Sequence, residues 1–381
     1  MVIFILTIFL FVLYAGMMIF YWLGWRSLPD VILNDKNYST TISVIIAARN
    51  EENNIGNLLE KLQQQTYPEY LFEVIVVNDH STDDTAAIVK KFPLVRLIDL
   101  KTGEANSFKK KAIEEGIAEA KNDLIVTTDA DCSPQYTWLE SIAGFKQKTN
   151  SLFIAAPVIL DSSKANTDSA QEENELLDIF QQLDFLILQG ITAVSVSKKI
   201  FSMCNGANLA YDKNIFYEVD GFKSIDKVAS GDDMLLMQKV RRSHPSQVAY
   251  LKSKSAIVFS KTELSWKNFF NQRLRWASKA RMYNELNIFL VQFLVYIFNL
   301  LFLVLFIASF WEFNYFILLL ILWIAKTLVE LPFVNSVATY FNKRHLVKWF
   351  FFLQPVHIVY TIVVGLLSQF VNYKWKDRRV R

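Results

Sequence analysis

Glycine is scarce in this chain, at 11 of 381 residues, and none of it forms a Gly-x-Gly-x-x-Gly or Gly-Lys-Ser/Thr loop. The two glycine-rich ways of wrapping phosphates in backbone N–H groups are therefore excluded, and a nucleotide held here needs its phosphates met by a metal and side chains. Cysteine is rarer still. Cys132 and Cys204 provide neither a disulfide framework nor zinc-ligand spacing, which fits a reducing compartment. The four histidines do not cluster, and a net charge of +3 is too small to indicate a nucleic-acid partner. The basic residues gather instead beside apolar stretches, where anionic lipid attracts them.

Apolar residues are what the chain has in excess, at 52%, too many for an ordinary soluble protein. Met1 to Leu23 is almost uncharged and long enough to cross a hydrocarbon layer of roughly 30 Å at about 1.5 Å per residue. No Lys or Arg precedes it and no small-residue cleavage site follows it, so residues 1–25 read as an uncleaved anchor with Arg26 on the cytoplasmic side. Three further stretches lie in the span 288–372: Ile288 to Phe310, Tyr315 to Phe333, and Trp349 to Phe370. Lys326 and Glu330 interrupt the second at helical spacing and are expected to pair; Pro355 and His357 interrupt the third. Four simple crossings would leave the basic tail, Lys374 to Arg381, outside, against the positive-inside tendency, so one of these stretches is expected to be re-entrant or interfacial.

Between the membrane stretches, over residues 41–262, short apolar β-rich runs alternate with amphipathic helical ones. Strands are expected at Ile42 to Ala47, Phe72 to Val77, Val95 to Leu100 and Leu124 to Thr128. Helices are expected at Asn53 to Gln65, Asp84 to Lys91 and Lys109 to Ala120. Strands apolar on both faces and separated by helices indicate a parallel sheet covered on both sides, with ligands beyond the carboxyl ends of its strands. Polar clusters fall at those ends: Arg49 to Glu52, Asn78-Asp79-His80, and Asp129-Ala130-Asp131. A strand sends alternate side chains to opposite faces, so Asp129 and Asp131 converge only across a turn just past the strand; together they can hold a divalent cation that meets a substrate's phosphates. Each cluster also has a plainer reading: Ser81 or Asp83 as a helix cap, Asn50 and Glu51 likewise, and Lys109 and Lys110 as a solvated helix face. Residues 263–284 mix aromatic with basic side chains and read as an amphipathic helix at the lipid headgroups.

Five motifs in order resemble glycosyltransferase family 2, over roughly Ser43 to Trp276. They are Ser43 to Glu52, Val76 to Asp83, Asp129-Ala130-Asp131, Gly231-Asp232-Asp233, and Gln272-Arg273-Leu274-Arg275-Trp276. Ala47 stands where many members have proline, and Phe108 where a glycine usually precedes the lysine. The resemblance implies an α/β, GT-A (Rossmann-like) nucleotide-sugar domain, joined here to one N-terminal and about three C-terminal transmembrane or interfacial helices. It implies an inverting, metal-dependent transferase using Mg2+ or Mn2+. Ala48, Glu51 and Asp79 would border the donor's base and ribose, with Lys109 near the donor. Asp131 would bind the metal, Asp129 the ribose or the metal shell. Asp233 would be the general base, with Asp232 in a capping or secondary role. Gln272, Arg275 and Trp276 would close the donor site, Arg275 near the diphosphate and Trp276 beside the acceptor.

The expected function is transfer of a sugar from a nucleoside diphosphate, UDP by expectation, to a lipid or lipid-linked acceptor by a multi-pass enzyme at the cytoplasmic face of the cell membrane. The alternatives are a processive polysaccharide synthase, for which three carboxy-terminal stretches are few to form a pore, and a non-catalytic nucleotide-binding membrane scaffold.

Overall fold

The structure, a computed structural model, describes residues 1–32, 38–101, 108–162, 175–225, 231–283, 285–368, 370, 373–375 and 378–380. The helices in chain order are α1 (Val2–Ser27), α2 (Ile55–Gln63), α3 (Thr85–Val89), α4 (Phe108–Glu119), α5 (Trp138–Thr149), α6 (Glu175–Ser197), α7 (Lys213–Glu218), α8 (Asp232–Ser243), α9 (Trp266–Ala277), α10 (Leu286–Ala308), α11 (Phe313–Tyr340) and α12 (Phe350–Leu367). The strands are β1 (Ile42–Ala48), β2 (Phe72–Asn78), β3 (Val95–Asp99), β4 (Leu124–Asp129), β5 (Ser133–Pro134), β6 (Phe153–Ala155), β7 (Val158–Asp161), β8 (Leu209–Asp212), β9 (Val248–Tyr250) and β10 (Val258–Lys261). They fall into two compact units. An α/β unit comprises Pro29–Asp161 and Ser195–Lys261; a helical unit comprises Met1–Leu28, Ser162–Val194 and Thr262–Val380.

In the α/β unit, β1 is buried nearly throughout because both its faces carry Ile, Val or Ala, a pattern that fits only the middle of a covered sheet. It pairs in parallel with β2 on one side and β4 on the other, and β3 extends the parallel set beyond β2. The full order is β3-β2-β1-β4-β8-β6-β9. The expected parallel sheet holds for its first four strands. Beyond β4 it becomes mixed, since β8 runs antiparallel to both β4 and β6. Strands β6, β8 and β9 span only three or four residues each, too few for a period to stand out in the sequence. α4 lies close against the sheet at Gly116, where an added Cβ would come 2.5 Å from Ile45 Cγ2. A second, three-stranded sheet, β5-β10-β7, is tied to the first by Asn208, which accepts from Trp138 Nε1 at 2.9 Å and donates to the Pro157 and Ala256 carbonyls at 2.8 Å each.

Among the described residues, five helices are long and apolar enough to cross a membrane by length and composition: α1, α6, α10, α11, and the segment Arg344–Leu367 that contains α12. α1 presents Tyr14, Tyr21 and Trp25 inward, with Tyr14 stacked on Phe298 at 4.2 Å. Lys326 and Glu330 pair at 2.7 Å, as their spacing predicts. Gln354 accepts from Lys326 at 2.5 Å and also donates to Glu330, and the Tyr14 hydroxyl donates to Glu330 as well. α12 continues through Pro355 and His357. Most of α6 groups with these helices although it lies inside residues 41–262. Asp178, Gln181, Gln182, Asp184 and Gln189 break up its apolar run, which hides it from a scan for unbroken hydrophobic stretches. In the basic tail, Tyr373–Trp375 pairs with Arg378–Val380; Lys376 and Arg381 lie outside the described residues.

Candidate active site

Strand register builds one functional edge. Ala48 and Asn78, the last residues of β1 and β2, are partners, and Ala47 is the partner of Asp129, the last residue of β4. The chain leaves all three strands at the same level, where ligands meet such sheets. Asn50 and His80 each lie two residues past a strand end with φ of 52°, left-handed turns that suit Asn and His better than branched residues. The two loops interlock through paired hydrogen bonds. Asn50 N–H donates to Ser81 Oγ at 3.1 Å, Thr82 N–H to Asn50 Oδ1 at 2.9 Å, Glu51 N–H to Thr85 Oγ1 at 2.7 Å, and Glu52 N–H to Asp83 Oδ2 at 3.1 Å. Burial alone would raise the Asp83 carboxyl, but hydrogen bonds from Thr85 and the Glu52 N–H hold it below its ordinary range. Asp83 also accepts the Thr85 N–H at 3.1 Å at the start of α3, but the N-cap position there is Asp84, not the Ser81 or Asp83 of the plainer reading.

Asp79 is buried in this loop pair. Its carboxylate lies 3.0 Å from His80 Nδ1 and 3.8 Å from Arg49 Nη1, and that same Nη1 donates to the Asp79 carbonyl at 2.9 Å. Ala48 is buried beside it and accepts the Asp79 N–H at 2.8 Å. Glu51 accepts from Asn54 Nδ2 at 2.8 Å, just before α2.

At the end of β4 the chain turns as the sequence predicts, closed by Cys132 N–H donating to the Asp129 carbonyl at 3.1 Å. One ligand atom each from Asp129, Asp131 and Cys132 lie within 4.8 Å of one another. Burial first, then Asp131 and Asp129, push the Cys132 thiol well above its usual range. The two carboxylates are hard oxygen donors, a pair suited to Mg2+ or Mn2+.

Lys109 joins this turn to a second acidic pair. Its Nζ lies 2.7 Å from Asp129 Oδ1 and 3.6 Å from Asp232 Oδ2. Burial would lower the lysine's pKa, yet Asp129, Asp232 and Asp233 outweigh it and hold the ammonium above its ordinary range. Asp232 and Asp233 open α8, where the helix dipole favours carboxylates. Asp233 Oδ2 accepts the Gly206 N–H at 3.0 Å, and its Oδ1 accepts the Met234 N–H at 2.7 Å. A Cβ placed on Gly206 would lie 3.6 Å from Asp232 Oδ2, from Asp233 Cβ and from Lys109 Nζ. Both acids therefore border one position from different sides, with Asp232 toward the lysine and Asp233 anchored to the backbone. Neither Lys109 nor Lys110 forms a solvated face: Lys110 is buried and donates to the Ile225 carbonyl at 2.6 Å.

Residues 43–219 match the family model described as Glycosyl transferase family 2. The α/β unit resembles family 2 glycosyltransferases. Among curated relatives, the probable glycosyltransferase YdaM of Bacillus subtilis is 26% identical over 260 residues, covering 66% of this chain and 57% of that protein. The 4,4'-diaponeurosporenoate glycosyltransferase of Staphylococcus aureus is 38% identical over 93 residues, 24% of each chain. The chain thus spans little more than half the length of the first of these relatives and a quarter of the second. Among solved structures, the mannosyltransferase PcManGT from Pyrobaculum calidifontis, in complex with GDP-Man and Mn2+, superposes with a TM-score of 0.53 at 15% identity, covering 97% of both chains. That likeness is one of fold. The fold is the expected one: a GT-A-like α/β domain with apolar helices toward both ends of the chain.

Of the site residues expected from the sequence, the structure brings Lys109, Asp129, Asp131, Asp232 and Asp233 into one cluster and sets Ala48, Glu51 and Asp79 on the same sheet edge. Gln272, Arg275 and Trp276 belong to α9 in the helical unit. There Gln272 Nε2 donates to Glu263 Oε1 at 2.8 Å, and the Trp276 ring lies 5.9 Å from that of Phe185. Burial raises the Glu263 carboxyl, against the pull of Arg275 and Arg273. The sequence did not single out Gly206, and it assigned Cys132 no place beside Asp129 and Asp131. A rare glycine three residues before β8 was the available signal for Gly206.

Proposed function

We propose that the chain is a membrane-bound inverting glycosyltransferase that moves a sugar from a nucleoside diphosphate, UDP, to a hydroxyl of a lipid or lipid-linked acceptor at the cytoplasmic face. The observation that carries this reading is the convergence of Asp129, Asp232 and Asp233 around Lys109, with Gly206 and Asp131 adjacent, at the carboxyl edge of a GT-A-like sheet. Asp129 and Asp131 would hold Mg2+ or Mn2+, and the bound ion would neutralise charge on the departing diphosphate. The solved fold relative is a complex with GDP-Man and Mn2+, in keeping with that cofactor.

Asp233 acts as general base. Two backbone N–H donors fix the direction of its carboxylate, so it takes the acceptor hydroxyl's proton from one side as the oxygen bonds to the anomeric carbon and the bond to diphosphate breaks. Attack opposite the leaving group inverts the anomeric configuration. Lys109 offsets the like charges of the acids around it, and Asp79 on the interlocked loops faces the nucleotide's base. By the resemblance, Gln272, Arg275 and Trp276 would close the donor site, with Arg275 near the diphosphate and Trp276 beside the acceptor. A lipid acceptor and a multi-pass, cytoplasm-facing topology are favoured by the apolar helices and by Arg26 at the end of α1.

Purified protein in lipid, incubated with labelled UDP-sugars, GDP-mannose, Mn2+ and extracted lipids, is expected to give one labelled product of a single added sugar that partitions into solvent. Loss of that product by more than about 100-fold in Asp233→Asn supports the assignment. Turnover in Asp233→Asn equal to wild type overturns it, and a ladder of long water-soluble products favours a synthase instead.

A further inference from the structure

Arg273 stands between the motif positions of α9, and nothing in the pattern Gln-x-x-Arg-Trp requires it. It is nonetheless among the most deeply buried large side chains of the described residues, 2% exposed. Its Nε and Nη2 lie 3.1 and 3.0 Å from Asp184 Oδ2 on α6, and Asp184 is itself 7% exposed. The other Asp184 oxygen is 3.9 Å from His357 Nε2 on α12. The guanidinium lies 4.2 Å from the Trp276 ring centroid and 4.7 Å from that of Phe269. Its remaining nitrogen, Nη1, donates to Gln272 Oε1 at 2.8 Å, and the Gln272 amide donates in turn to Glu263. Glu263 is held from α6 as well, because its N–H donates to Gln181 Oε1 at 2.9 Å and its carbonyl accepts from Gln181 Nε2 at 3.0 Å.

A buried ion pair is weak evidence for stability, since desolvation offsets most of the attraction. What it supplies is direction: a planar guanidinium gripped on one edge cannot rotate, and rings stacked against its faces are fixed with it. Two motif residues of α9, Gln272 and Trp276, touch this one guanidinium, and its orientation is set by α6, an element with no motif residue of its own.

We propose that Asp184 and Arg273 are positioning residues. The pair sets the side-chain orientation of Gln272 and Trp276, and α6 thereby tunes the part of the site those residues serve. The inference rests on the transferase reading for its effect on rate, but its structural half can be tested without turnover.

The experiment uses the full chain in detergent or nanodiscs, labelled with 5-fluorotryptophan, with the Trp276 resonance assigned by Trp276→Phe. In Asp184→Asn the Trp276 fluorine resonance is expected to move or broaden, while resonances of tryptophans in the α/β unit, such as Trp138, stay in place. Turnover, read at a temperature where the variant is folded, is expected to fall by about tenfold or more; the melting temperature falls too, because the buried Arg273 charge loses its carboxylate. Asp184→Glu is expected to restore most of both signals. An unmoved Trp276 resonance in Asp184→Asn overturns the proposal whatever the activity, and so does a moved resonance with wild-type turnover. A wild-type chain that turns over none of the donors contradicts the transferase reading instead, and the resonance then still decides whether Asp184 orients Trp276.

Discussion

Lys109 occupies a position that helix electrostatics disfavour. It lies in the first turn of α4, where the dipole repels a cation, and it keeps its charge there because Asp129 and Asp232 face it. Lys109→Met should leave those acids repelling one another, costing about 1–3 kcal/mol, the usual penalty for a charged group losing its partner. Mn2+ supplies positive charge to the same carboxylates. Calorimetry should therefore show a larger Mn2+-induced rise in melting temperature for Lys109→Met than for wild type; equal rises would contradict the shared role. The sign of the pH effect follows from the raised lysine pKa. Its stabilisation is complete below the ordinary lysine value and is lost only above it, so the gap between wild type and Lys109→Met should stay constant from about pH 7 to 9. A gap that closes in that window would show that the ammonium is not held as described.

At the scale of elements, close approach positions the site. Gly116 lets α4 lie on β1 and β2, because a Cβ there would come 2.5 Å from Ile45 Cγ2 and 3.2 Å from Val77 Cγ2. Gly116→Val should cost about 1–3 kcal/mol of stability through overpacking and lower donor affinity by moving Lys109 with its helix. Denaturant titration and donor binding check the two parts. In the helical unit Gly190 plays the same part for α6, since a Cβ there would come 2.7 Å from side-chain atoms of both Phe333 and Val337. These elements were unequally visible in the sequence. β1, β2 and β4 were legible because both faces are apolar and each ends in a polar cluster, and the Asp129 to Asp131 turn because two acids one residue apart can meet in no other way. The short strands β6, β8 and β9 offered too few residues for a pattern, and α6 was concealed by the polar side chains that form its internal contacts. The sharing of one position by Asp232 and Asp233 was invisible for another reason: it depends on Gly206, which only the folded chain brings to them.

Across the whole molecule, residues far apart in sequence meet in each unit. Tyr14, Lys326, Glu330 and Gln354, from α1, α11 and α12, form one buried hydrogen-bonded group, so α1 is a structural member of the helical unit as well as an apolar segment. Lys326→Met should destabilise that unit by about 3–5 kcal/mol, because Glu330 is left buried without its partner, and Lys326→Met with Glu330→Leu should recover most of the loss. A double variant no more stable than the single one would show that the pair is not coupled. In the α/β unit the corresponding convergence is that of the acids and Lys109 at the sheet edge, and the proposed chemistry depends on it. The most direct test is the melting temperature of the full chain with a saturating UDP-sugar, with and without Mn2+, in wild type and Asp131→Ala. The expected result is a rise of about several degrees in wild type that needs both sugar nucleotide and metal and is absent in Asp131→Ala. An equal rise with metal chelated, or in Asp131→Ala, would contradict a metal-linked donor site at Asp129 and Asp131.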